Sequence, residues 1–189
     1  MDHIVAYARN WVRGGYLSRA EIVSEIEAMA EDEGLSPDLF DADGLVDLEV
    51  RDLKAEQIRW PAVTDYDRLD AALEALEMKR IVARQDFTCC GNCGQAEIGA
   101  EIADFEEKGV RARGYVFFHQ QDTESAVEGH GLYFNYGHAL EYDKPEASRE
   151  IGRELVAALE GAGLRPKWDG DLGKRVFVGL DWKRRWSER

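Results

Sequence analysis

The hydrophobic pattern of this chain changes period near residue 80, and that change limits what it can fold into. Before it, apolar residues recur only at helical spacing. Ile4, Val5, Ala8, Trp11 and Val12 mark one stripe over residues 2–13; Ile22, Ile26 and Met29 mark a second, and Leu69, Leu73 and Leu76 a third. Ser18 followed three residues later by Glu21 has the spacing of a capping box, and Thr64 is placed to cap the third helix. Gly14-Gly15 and Gly34 stop the first two runs, and Ser36-Pro37 opens a turn or a short helix. Residues 45–60 fit a helix or an irregular segment equally. Asp41, Asp43 and Gly44 invite comparison with a calcium loop, but that register makes Leu39 and Val50 its first and last ligands, which excludes an EF-hand.

After residue 80, short β-type runs alternate with helical ones. Residues 80–87, 115–120, 132–136, 165–168 and 174–180 read as strands, and 92–107 and 146–160 as helices. The order β-α-β-β-α-β-β predicts an α+β fold, a ferredoxin-like plait with one added strand and a mainly antiparallel sheet. Asp169-Gly170 and Leu172-Gly173 supply turn chemistry between the last two strands. With Pro61 as the boundary, the expected organisation is a helical, acidic N-terminal extension over 1–60 and the α+β domain over 61–189.

Charge narrows the classes of partner. The net charge is −14, and residues 21–56 hold 13 acids against 2 bases. A field of that sign repels phosphate backbones, so nucleic-acid binding is disfavoured and a protein partner with a basic surface is the expected complement. The basic run Lys183-Arg184-Arg185, between Trp182 and Trp186, points to docking within the chain or to a homodimer contact, with a nucleic-acid patch as the sharper alternative that the overall charge disfavours. Trp182 and Trp186 lie at the spacing of one helical turn. No apolar run reaches the roughly 20 residues that span a bilayer. Met1-Asp2-His3 begins no signal peptide, so no membrane association and a cytoplasmic location are expected.

All three cysteines fall in Phe87-Thr88-Cys89-Cys90-Gly91-Asn92-Cys93-Gly94, where a strand should give way to a helix. Cys90 and Cys93 form a C-x-x-C pair at the expected helix N-terminus, where unpaired N–H groups and the helix dipole favour a thiolate. Such a pair serves as a redox dithiol, a metal half-site or a nucleophile, or packs as small structural residues. It lacks the preceding Trp and internal Pro of a thioredoxin. Zinc needs about four N or S ligands. Cys89 points away from Cys90 if the segment is extended, unless a turn brings it round, and His119, His130 and His138 are candidates to complete a set. Cys90 or Cys93 with His119 and Asp122 has the residue types of a nucleophile, base and orienter.

Three blocks, Arg84-Gln85-Asp86-Phe87-Thr88-Cys89-Cys90-Gly91-Asn92-Cys93-Gly94, His119-Gln120-Gln121-Asp122-Thr123-Glu124 and Trp168-Asp169-Gly170, together resemble an uncharacterised bacterial domain-of-unknown-function family over roughly residues 60–186. The resemblance implies a bacterial protein of this architecture and brings no activity with it. It also implies that the cysteine turn and the His-Gln-Gln-Asp segment belong to one site. No complete catalytic set can be assembled from the residues, so the leading expectation is an acidic cytoplasmic protein that binds another macromolecule. The alternative is a thiol-redox or zinc-binding protein using Cys89, Cys90 and Cys93 with His119.

Overall fold

A computed structural model describes residues 2–35, 40–140 and 144–187; the turn expected at Ser36-Pro37 lies outside them. The chain divides into two compact units, Met1–Thr64 with Lys183–Arg189, and Asp65–Trp182.

The first unit is helical: α1 (Asp2–Gly14), α2 (Arg19–Asp32) and α3 (Ala42–Gln57). Their stripes meet in one core of Ile4, Ala8 and Val12, Ile22, Ile26 and Ala30, and Val46, Val50 and Leu53. The undecided segment after residue 44 is thus helical as far as Gln57. Asp41 begins it by accepting the Gly44 N–H at 2.8 Å. Arg13 pairs bidentately with Glu56 at 2.9 and 2.7 Å, and Arg9 holds the buried Glu49 at 3.2 Å. At the start of α2, Ser18 Oγ accepts the Glu21 N–H, and Glu21 Oε2 accepts the Ser18 N–H at 2.7 Å. Ser18→Ala orphans a first-turn donor and is expected to cost about 1 kcal/mol, read as a lower urea midpoint of this unit. The C-terminal basic run docks within the chain. The Arg184 guanidinium lies 3.8 Å from the Tyr16 ring centre, Arg185 donates to the Pro61 carbonyl at 2.6 Å, and Trp186 packs on the helical core. Residues 181–187 have no regular structure, so Trp182 and Trp186 are not one helical turn apart.

The second unit runs α4 (Asp65–Met78), β1 (Ile81–Arg84), α5 (Gly91–Glu107), β2 (Gly114–Phe117), α6 (Gln120–Val127), β3 (Leu132–His138), α7 (Pro145–Gly161), β4 (Arg165–Lys167) and β5 (Val176–Gly179). It is an α+β unit with one five-stranded sheet ordered β1-β2-β3-β5-β4. Three of the four pairings are antiparallel; β1 and β2 are parallel. This order corrects the ferredoxin-like plait. In that fold the βαβ unit is split by a strand between the two that the helix connects. Here β1 and β2, joined by α5, lie side by side, and an additional helix, α6, separates β2 from β3.

Register and side-chain alternation divide the sheet faces. Val116, Leu132, Phe134, Val176 and Val178 point to one face and are fully buried. Helix α7 packs there through Ile151, whose side chain fills the space a Cβ on Gly114 would need. Tyr115 and Phe117 point to the other face, where Ile98 and Ile102 of α5 cover them. Gly94 lets that helix approach: a Cβ on it would stand 2.5 Å from the Phe117 ring.

Candidate functional site

Parallel β1 and β2 finish at the same end of the sheet, and each opens there into a helix. The cysteine turn leaves β1 and becomes α5; His119 leaves β2 and begins α6. Backbone hydrogen bonds join the two exits. The Phe87 N–H donates to the Phe118 carbonyl at 2.8 Å, and the Gln120 N–H donates to the Thr88 carbonyl at 3.1 Å. Thr123 Oγ1 donates to Asp86 Oδ1 at 2.5 Å, and the Phe87 ring meets Phe117 edge-on at 5.5 Å. Asp86 and Thr88 both hold positive φ, at 54° and 59°, a conformation that costs non-glycine residues about 1 kcal/mol or more. Those two reversals bring Cys89 round to its neighbours, which an extended chain would not do.

The three free thiols therefore converge. Their sulfur atoms all lie within 4.8 Å of one another, with Cys89 Sγ and Cys93 Sγ at 3.4 Å. Cys89 is exposed and the other two are half-buried. Cys90 is the N-cap of α5, with extended backbone. Its thiol pKa is lowered, first by the Cys93 backbone N–H, then by the Cys93 thiol and the Asn92 N–H. Cys93 is pushed up to about 11 by hydrogen bonding to Cys89 and Cys90. The thiolate is the reactive form. In metal-free protein near pH 8, Cys90 is therefore expected to be alkylated by iodoacetamide well before Cys93, an order that peptide mass spectrometry reads directly.

His119 is buried as the N-cap of α6. Its Nδ1 accepts the Asp122 N–H at 3.3 Å, and the Asp122 carboxylate accepts the His119 N–H at 3.2 Å, closing a capping box with His in the serine position. His119 Nε2 lies 3.0 Å from Asp122 Oδ2 and 3.2 Å from Arg175, which also donates to Asp122 at 2.9 Å. Burial lowers the His119 pKa, opposed by Asp122 and assisted by Arg175. The ring stands against the start of α5, where a Cβ on Gly91 would be 3.5 Å from Nε2 and 4.0 Å from Asn135 Oδ1. Asn135 Nδ2 is buried there without a hydrogen-bond partner among the described residues.

The structure thus places the cysteine turn and the His119–Asp122 segment side by side. The hydrogen bonds of the His119 ring run to Asp122 and Arg175, however, and its nitrogens are not grouped with the sulfurs. His130 is exposed, 3.9 Å from Glu128. His138 pairs with Gly114, at the far end of β2 from the turn. Trp168-Asp169-Gly170 begins the β4–β5 connection, where Trp168 donates to the Asp171 carbonyl at 3.1 Å. Sequence reasoning missed Arg175 and Asn135, which no local motif flags, and gave Asp86 no role beyond its place in the cysteine block.

Three converging thiols, Cys89 among them exposed, have the ligand types of a zinc site and the number of one that completes its tetrahedron with water or an exchangeable ligand. No curated protein and no solved structure matches this chain. The family described as Domain of unknown function (DUF6891) matches residues 1–186, the helical first unit included, and the chain belongs to that family.

Proposed function

We propose that this protein binds a soft metal ion, zinc(II) foremost, through Cys89, Cys90 and Cys93. The convergence of three sulfurs carries this reading. A dithiol redox centre needs two cysteines and leaves the third unexplained, whereas thiolate ligands select zinc, copper(I) and related ions. The α5 N-terminus supports the charge: the Asn92 and Cys93 N–H groups face the Cys90 sulfur, and the positive end of the helix dipole lies behind it. His119 stands as a neighbour that shapes the turn, with Asp122 fixing its ring. A reducing cytoplasmic setting keeps the thiols available.

Cobalt(II) titration of the metal-free protein tests this reading. Sulfur-to-metal charge-transfer absorption saturating at one equivalent is the expected result; its absence would overturn the site. Because the ion displaces thiol protons, affinity should fall as pH falls below the Cys93 pKa of about 11.

A second reading has its own observation. The opposed shifts of Cys90 and Cys93 are those of an attacking and a resolving thiol. A reversible Cys90–Cys93 disulfide poised near cellular thiol buffers, without metal, is its signature. The broader role of an acidic protein that engages another macromolecule rests on charge, and either thiol reading is compatible with it.

A further inference from the structure

Helix α5 covers only the β1–β2 half of its sheet face. Across β3, β5 and β4 the same face carries a row set by register, Tyr133 opposite Phe177 opposite Lys167. Arg165 lies two positions along β4 from Lys167, and Arg175 immediately precedes β5. Tyr133 is 38% exposed, and Arg165 and Lys167 are exposed. The outward positions of these three strands hold no carboxylate, in a chain with 38 acids and 24 bases. Among the described residues Arg165 and Lys167 have no ion-pair partner. Lys167 and Arg175 also border an open recess of about 390 Å³ with Trp168, Asp169 and Lys174.

We propose that this half-face docks an acidic polypeptide segment of a partner protein. Charge complementarity selects the occupant. Lys167 Nζ lies 5.7 Å from the Phe177 ring centre; the Arg175 guanidinium, 5.0 Å from that of Tyr133, is already paired with Asp122, so Arg165 and Lys167 are the cations this face offers a partner. Prior ordering lowers the entropy lost when a carboxylate binds. The same geometry disfavours single-stranded nucleic acid, whose bases need free aromatic faces; here a cation occupies one face of each ring. Pro166 lacks an N–H and weakens strand addition at the β4 edge, so the segment lies across the face rather than extending the sheet. This surface is independent of whether the thiols bind metal.

Titration of the full chain with a short peptide of alternating glutamate and threonine, followed by amide NMR shifts, tests the proposal. Binding centred on Tyr133, Lys167 and Phe177, lost when glutamine replaces glutamate and weakened about tenfold by Arg165→Glu with Lys167→Glu, is the expected result. Both substitutions are at exposed positions, and circular dichroism checks that the fold is kept. Equal binding of the glutamine peptide, or no effect of the double variant, would overturn it. So would tighter binding of oligo(dT), or self-association abolished by the double variant, which would assign the face to nucleic acid or to a second copy.

Discussion

Phe117→Ala is expected to lower the stability of the sheet-bearing unit by about 3–5 kcal/mol, the range for deleting a fully buried aromatic ring. Phe117 is completely buried and joins three parts of the site: Phe87 of the cysteine turn edge-on at 5.5 Å, Tyr115 stacked at 6.1 Å, and the backbone of α5 at Gly94. Its removal empties the space against which the turn is seated, so the cysteines should also lose their convergence. Urea unfolding measures the first effect, and faster alkylation of Cys93 the second. Gly94→Ala gives a reciprocal check. In the parent protein its new Cβ meets the Phe117 ring at 2.5 Å, an overpacking expected to cost about 1–3 kcal/mol. In the Phe117→Ala background the ring is gone, and alanine's helix preference of about 1 kcal/mol over glycine should make the same change neutral or stabilising. A cost unchanged by the background would mean that the helix does not approach the sheet at this point.

The second large effect concerns the metal. Cys90→Ser removes the ligand best prepared as a thiolate, whose pKa the turn already lowers. Loss of an outer-shell partner alone typically weakens a metal site by 10–100-fold, so loss of this ligand should weaken zinc binding by about 100-fold or more. Serine keeps the N-cap role at the start of α5, so stability of the metal-free form should change little. A competition titration against a chromophoric chelator separates the two outcomes. His119→Gln is the contrasting variant: the ring packs beside Gly91 without joining the sulfurs, so affinity should fall less than for any cysteine change.

The elements were more legible in the sequence than their arrangement. The Ser18–Glu21 capping box and the Ile151, Leu155, Leu159 stripe are local signals, and both helices form where they predict. Helix α3 was ambiguous because Leu45 and Leu48 blur the stripe of Val46, Val50 and Leu53; Leu48 proves exposed. Helix α6 shows no helical signal in the sequence because its buried residues are Asp122, Thr123 and Ala126, and because histidine is not a usual capping residue. Strand order was illegible for a different reason. Period-two alternation tells which residues share a face and not which strands are neighbours, so nothing in the pattern sets β1 beside β2. At the site, the cysteine motif and its strand-to-helix setting could be read. The sulfur convergence could not, since it depends on positive φ at Asp86 and Thr88, residues without glycine's freedom. Arg175 meets His119 from 56 residues away, beyond any local pattern.

Metal content and free-thiol count, measured together on protein purified without chelators, test the three-sulfur site most directly. One equivalent of zinc per chain, with Cys89, Cys90 and Cys93 all protected until the metal is withdrawn, is the predicted result. Metal-free protein with three freely titrating thiols that neither take up added zinc nor form a disulfide would contradict it.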